Sequence, residues 1–256
     1  MRATVTPAGH NGAMPFLDAD GRPLDRVPLL YRGGRLFQLL EPVTWQDPRD
    51  GSRRRVAAHD PSRPASDEGN STDLASVPPF LWGLVASYGR QSLPAILHDG
   101  LDDQAAAAPP AERAARRRAA DDDFRVALGE SGVTDLRAMT MWAAVVVQGT
   151  LRFAPARGVL LLAHTVIAAA ACVAAVVLAV TGHPAWLALL AAPSVTSLIW
   201  MRDARAAMSA AYLAALYLPL IVAALALSAI EYIVALVVWL ARGRPGSRPT
   251  PGPTLR

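Results

Sequence analysis

Val159–Val180, VLLLAHTVIAAAACVAAVVLAV, decides how the rest of the chain is read. It holds no charged residue and is long enough for a hydrocarbon core, which takes about 20 apolar residues. Its surroundings continue the pattern, since from Gly158 to Leu240 only Arg202, Asp203, Arg205 and Glu231 carry formal charge. Most of the charge lies in the stretch before Gly158. So abrupt a shift marks a change of solvent from water to lipid, with the boundary near Ala156. Four regions follow: 1–34 a poorly ordered lead-in, 35–156 a soluble domain, 157–241 a transmembrane region of about three helices, 242–256 a disordered tail.

Val159–Val180 is the first span, and Thr181-Gly182-His183-Pro184 makes an uncharged turn after it. Trp186–Met201 is shorter and interrupted by Pro193, so it reads as a tilted or partial span closed by Arg202 and Arg205. Ala210–Leu240 exceeds one minimal span and reads as a strongly tilted helix or a tight hairpin. Glu231 is then either a costly intramembrane carboxylate with a polar partner or a residue near the bend of that hairpin. Trp186, Trp200 and Trp239 fit an aromatic belt at span ends. Arg152 and Arg157 precede the first span and the turn beyond it has no arginine, which places the soluble domain and the Arg202–Arg205 loop in the cytoplasm. Three spans leave the Arg-rich tail outside, against the positive-inside rule. Four restore it, and both counts stand.

The basic residues are all arginine, and the wealth of Ala, Arg and Pro reads as the mark of a GC-rich bacterial genome. The net charge of +4 is therefore weak ground for nucleic-acid binding. No basic stripe interleaved with aromatics accompanies it, so nucleic acid is not an expected partner. Membrane lipid and a protein partner are. The single cysteine, Cys172, excludes disulfides and cysteine metal sites. Met1–Phe16 lacks the apolar core of a secretory signal.

In the soluble part, Arg35–Trp45 and Arg53–Ala58 read as extended segments around the turn signals Asp47-Pro48 and Asp50-Gly51, a small β-hairpin. His59–Asn70 is a loop. Pro79–Val85 and Leu93–Gln104 are short helices, and Ala105–Pro110 a loop. A long helix runs from Pro110, which suits a first turn, to Gly129. Another runs over Thr134–Val147, with Thr134 as N-cap and Gly149 ending it. The fold class is mainly α: a small three-helix core with an N-terminal β-hairpin, followed by a helical transmembrane region.

Chemistry concentrates in Ser71–Asp99, STDLASVPPFLWGLVASYGRQSLPAILHD. Asp73 sits in a loop, and His98-Asp99 on a helix. Arg117 and Asp121 are four residues apart and share a helix face, which Phe124 and Leu128 continue and bury. Two antiparallel helices would bring Asp121 within hydrogen-bond reach of His98 Nδ1 and fix the imidazole tautomer. Asp73 and Asp99 would offer oxygens to a hard cation. Each residue also has a structural reading. His98-Asp99 is then a buried dipeptide pairing within a helical core, Asp73 an Asx-turn residue, and Asp121–Asp123 a solvated acidic face balancing Arg116–Arg118. An HD-type phosphohydrolase would need a second histidine on a preceding helix, whereas His59 lies in a Pro-rich loop.

The ordered series TDLASVP, GR, LHD, R-x-x-x-D-x-x-F and MWAAVVVQG resembles the bacterial and phage family known as domain of unknown function 1353, over about Leu36 to Phe153. More distantly it is similar to the core of the bacterial secreted phospholipases A2. That likeness implies Asp73, the Leu74 carbonyl and Asp99 as calcium ligands, His98 as the general base that activates water, and Asp121 as its orienting partner. Trp142, Ala144, Val145 and Gly149 match the closing helix. Two positions depart from the pattern: Asp102 stands where a tyrosine ties the helices, and Ala75 where a loop cysteine would be. Two functions follow. One is a non-catalytic, prophage-derived interaction module at the inner face of the membrane. The other is a calcium-dependent lipid esterase.

Overall fold

The computed structural model describes residues 2–5, 16–34, 36–74, 89–244 and 246. Six strands come first: β1 (Arg2–Val5), β2 (Phe16–Leu17), β3 (Val27–Gly33), β4 (Leu36–Leu39), β5 (Val43–Gln46) and β6 (Arg53–Val56). They form two three-stranded sheets, ordered β1-β3-β4 and β2-β5-β6, with antiparallel pairing throughout. The expected hairpin is β5–β6, with Trp45 opposite Arg54 and a turn through Gly51, whose φ of +73° suits glycine.

Two features differ from the sequence reading. The extended run Arg35–Trp45 breaks around Glu41-Pro42, because proline offers no N–H to a ladder, so β4 pairs back onto β3 instead of continuing into β5. The stretch read as a lead-in supplies β1, β2 and β3. Its apolar residues alternate as a half-buried strand requires: Val27 and Leu29 are inside, each 1% exposed.

Three helices follow: α1 (Ser92–Ala107), α2 (Pro110–Glu130) and α3 (Asp135–Phe153). Leu93, Ile96 and Leu97 of α1 sit one helical turn apart and join Phe16, Leu39 and Trp45 of the sheets in one apolar core. Gly100 lets α1 lie on β6, since a Cβ there would meet Val56 Cγ1 at 2.6 Å. On the other side, Ala95 packs with Phe124, Leu128, Val133 and Met141 between α1, α2 and α3. The proposed loop Ala105–Pro110 shrinks to Ala108-Pro109, as α1 runs on through Ala107. The helix expected at Pro79–Val85 lies outside the described residues. Thr134 is the N-cap residue of α3, but Gly149 does not end the helix, which continues to Phe153.

A sharp reversal at Ala154 leads into α4 (Pro155–Val180). It is possible because Gly158 packs on the backbone of Leu151, where any Cβ would collide. The region expected as a tilted or partial span, Trp186–Met201, is helical but irregular. A 3-10 stretch Pro184–Ala191, α5 (Ala192–Thr196) and a second 3-10 stretch Ser197–Asp203 follow one another end to end and return the chain from the far end of α4 to the start of the last helix. Pro193 interrupts regular hydrogen bonding there. α6 (Ala204–Ala241) is one continuous helix with Pro219 inside it, not a hairpin. At 1.5 Å per residue it is about 57 Å long. Among the described residues, two helical runs are long and apolar enough to cross a membrane, α4 and the 58-residue run Pro184–Ala241 that ends in α6.

Their packing is inverted relative to a water-soluble core. The buried positions of α4 are mostly small, among them Ala168, Ala169, Cys172 and Ala175, and those of α6 are Ala206, Ala207, Ser209, Ala210 and Ala211. The large side chains face outward, with Ile167 70% and Val180 79% exposed. Close backbone approach through small residues, with branched apolar residues outside, is the pattern helices adopt in lipid.

Candidate functional site

The TDL loop is fixed from two sides. Thr72 exchanges backbone hydrogen bonds of 2.8 Å with Phe37 of β4. Its hydroxyl donates to Asp99 Oδ2 at 2.5 Å and accepts the Leu74 N–H at 3.1 Å. Leu74 itself is buried and left-handed, with φ of +65°, a conformation a branched residue adopts only when its surroundings impose it. Burial pushes the Asp99 carboxyl up to about 6, against the opposing effects of the Thr72 hydroxyl and His98, and the Asp73 charge pushes it the same way. The Asp73 and Asp99 carboxylates thus repel one another.

Whether a cation suits them depends on the donor set. Two carboxylates and the Leu74 carbonyl are hard oxygen donors of the kind calcium takes, and their mutual repulsion would be relieved by it. They are also fewer than the six to eight oxygens calcium collects. Among the described residues, no group of three or more His, Cys, Asp or Glu side chains is arranged to hold a metal ion.

His98 and Asp121 meet, both buried, with His98 Nε2 2.9 Å from Asp121 Oδ1. The contacting nitrogen is Nε2 rather than the expected Nδ1, because the imidazole projects from α1 with its far edge toward α2. A carboxylate can only accept, so Nε2 is the donor of this contact, which leaves Nδ1 with the lone pair in the neutral tautomer. The Phe124 ring packs on the imidazole with centroids 4.8 Å apart.

Asp121 Oδ1 also accepts from Arg117 Nε at 3.0 Å. Arg117 is buried, forms an ion pair through Nη1 with Asp102 Oδ1, and donates from Nη2 to the Val145 carbonyl at 2.9 Å. Asp102 in turn accepts from Arg152 Nη1 at 2.7 Å. A polar chain thus runs His98–Asp121–Arg117–Asp102–Arg152 through α1, α2 and α3. The residue that departs from the phospholipase pattern does not leave the helices untied. Its carboxylate ties them through arginine.

Of the acidic triplet only Asp122 is solvated. Asp121 and Asp123 are both 4% exposed. Asp123 points the other way, pairing with Arg49 and, at 3.0 Å, with Arg54 Nε, and so clamps α2 to the β5–β6 hairpin. Asp47 joins this clamp, and its hydrogen bonds from Arg49 hold its carboxyl below the usual range despite burial. His59 serves the fold: its Nδ1 accepts the Leu39 N–H at 2.7 Å, and burial lowers its pKa.

A cleft of about 600 Å³ opens where the three-helix core meets the apolar helices. α2 and α3 form one side, and the start of α4 and the approach to α6 form the other. Arg117 and Asp121 are on its wall, whereas His98 is not. Sequence reasoning found the His98–Asp121 pair but missed the arginine relay and this cleft. Arg117 and Gly149 carried the signal, a buried cation needing a position without a side chain on the next helix.

Residues 56–145 match the family model described as "Protein of unknown function (DUF1353)". Comparison with curated proteins and with solved structures finds no match. The matched residues take in β6's end, the Thr72 loop, α1, α2 and the first part of α3, and with them His98, Asp102, Arg117 and Asp121 of the polar chain, whereas Arg152 lies beyond the match. Over residues 56–145 the chain is similar to that family.

Proposed function

We propose that this protein is a membrane-anchored, non-catalytic interaction module that holds its DUF1353 domain at the cytoplasmic face of a bacterial membrane. The polar chain carries this reading. Asp121 is shared between His98 and the Arg117 guanidinium, and Arg117 is in turn held by Asp102, so the polar groups suited to chemistry are spent on joining α1, α2 and α3. The small-inside, large-outside packing of α4 and α6 supports the membrane anchor.

A calcium-dependent lipid esterase is the second reading, favoured by the Nδ1 lone pair of His98 and the adjacent Asp73 and Asp99 carboxylates. Calcium would polarise an ester carbonyl there, and His98 would take a proton from water. Fatty-acid release from phosphatidylglycerol by the full chain in detergent micelles, with millimolar calcium or a chelator, separates the two. The module reading expects no release above that of His98→Ala. Calcium-dependent release abolished by both His98→Ala and Asp99→Asn would replace it with the esterase.

A further inference from the structure

The cleft at the foot of the three-helix core has the chemistry of an anion site, and its position decides which anion. Four arginines line it: Arg117, Arg118, Arg157 and Arg202. Arg117 is consumed by Asp121 and Asp102, and Arg157 shares its charge with Asp203 at 2.9 Å. Arg118 and Arg202 are exposed and make no ion pair among the described residues. The wall's remaining carboxylate, Asp122, offsets one of these two charges. Apolar Trp142, Val146 and Phe153 line the same cavity, so it joins cationic groups to a greasy floor.

The backbone is bent to build it. Met201 takes φ of +55° and ψ of −111°, a region that a side chain disfavours, and this reversal returns Arg202 and Asp203 to the start of α4. Arg157 is in the first turn of α4 and Arg202 lies just before α6. Both apolar helices therefore begin at the cleft. With α4 and α6 in a bilayer, both helices lead into it from the cleft's side, and arginine guanidiniums pair with headgroup phosphates through parallel N–H donors.

We infer that this cleft binds the phosphate of an anionic phospholipid headgroup, with Arg118 and Arg202 as the principal ligands and Arg157 beside them, the acyl chains passing over Trp142 and Phe153. The inference rests on the membrane reading of α4 and α6.

The test is native mass spectrometry of the full chain in neutral maltoside micelles doped with phosphatidylglycerol or with phosphatidylcholine. Wild type is expected to retain phosphatidylglycerol over phosphatidylcholine, and the Arg118→Gln/Arg202→Gln double variant to lose about tenfold of that retention. Arg137→Gln, an exposed arginine away from the cleft, is expected to change nothing. Because neither Arg118 nor Arg202 is buried or paired, the double variant is expected to keep the wild-type melting temperature. Equal retention of the two lipids, or retention unchanged in the double variant, would overturn the inference. So would displacement of phosphatidylglycerol by millimolar inorganic phosphate, which would mark a site for a free anion. Fractionation of the cells is read separately: a chain absent from the membrane fraction defeats the anchor, whereas a chain present there without lipid preference defeats only the cleft.

Discussion

Gly149 of α3 lies against the guanidinium of Arg117 on α2, so closely that a Cβ at that position would sit 2.7 Å from Nε. A glycine inside a helix is destabilising by about 1 kcal/mol relative to alanine, so propensity alone would favour its replacement. Here the opposite is expected. Gly149→Ala should destabilise by about 1–3 kcal/mol through overpacking, read as a lower midpoint in thermal unfolding of the full chain in micelles. A stabilised variant would mean that Arg117 does not occupy the space beside α3.

Arg117 and Arg116 are neighbours in sequence with opposite expected effects. Arg117 is buried between Asp121 and Asp102, whereas Arg116 pairs with Glu112 in the open, both side chains more than half exposed. Arg117→Met leaves the buried Asp121 without its cation and Asp102 with Arg152 alone, and should cost about 3–5 kcal/mol. Arg116→Met should cost less than about 1 kcal/mol. Unfolding curves of the two variants side by side measure the difference.

Thr72 links the loop to α1 through one hydroxyl that both donates and accepts. Thr72→Val keeps the shape and removes both bonds. It should destabilise by roughly 1.5–3 kcal/mol, because a charged acceptor and a buried N–H each lose a partner. Amide exchange at Leu74 should rise with it, and exchange in α6 should not.

The clamp at Asp47 predicts a pH dependence. Its carboxyl is held below its unfolded value of 3.8, chiefly by the Arg49 hydrogen bond. Its contribution is then fully present above the unfolded value and is lost as pH falls through the lower folded one. Wild type should lose melting temperature on acidification below about pH 4, and Asp47→Asn should lose less over the same interval. Parallel curves would remove Asp47 from the clamp.

Much of this architecture was legible because it rests on local pattern. The Pro110 start of α2, the turn at Asp47–Gly51 and the apolar run of α4 are each written in a short stretch of sequence. The Arg117–Asp121 spacing revealed the pair, and the order of motifs placed Asp121 against His98. What escaped depends on contacts distant in the chain. Strands β1 and β2 are short and pair with β3 and β5, which lie further along the chain. Asp102 became legible as a tie only once Arg117 and Arg152 stood beside it. Gly149 read as a helix end because its reason, an arginine from another helix, cannot be seen in its own neighbourhood. The run Trp186–Met201 has the composition of a span, and its irregular path, with Pro193 inside and the bend at Met201, is set by packing against α4 and α6.

The account turns on whether α4 and α6 lie in lipid, and alkaline carbonate extraction of membranes from cells expressing the full chain tests it most directly. The protein is expected to stay wholly in the pellet, as two apolar helices with outward-facing Ile167 and Val180 require. Release into the supernatant, with the chain still folded, would contradict it and make those exposed side chains an interface with another protein.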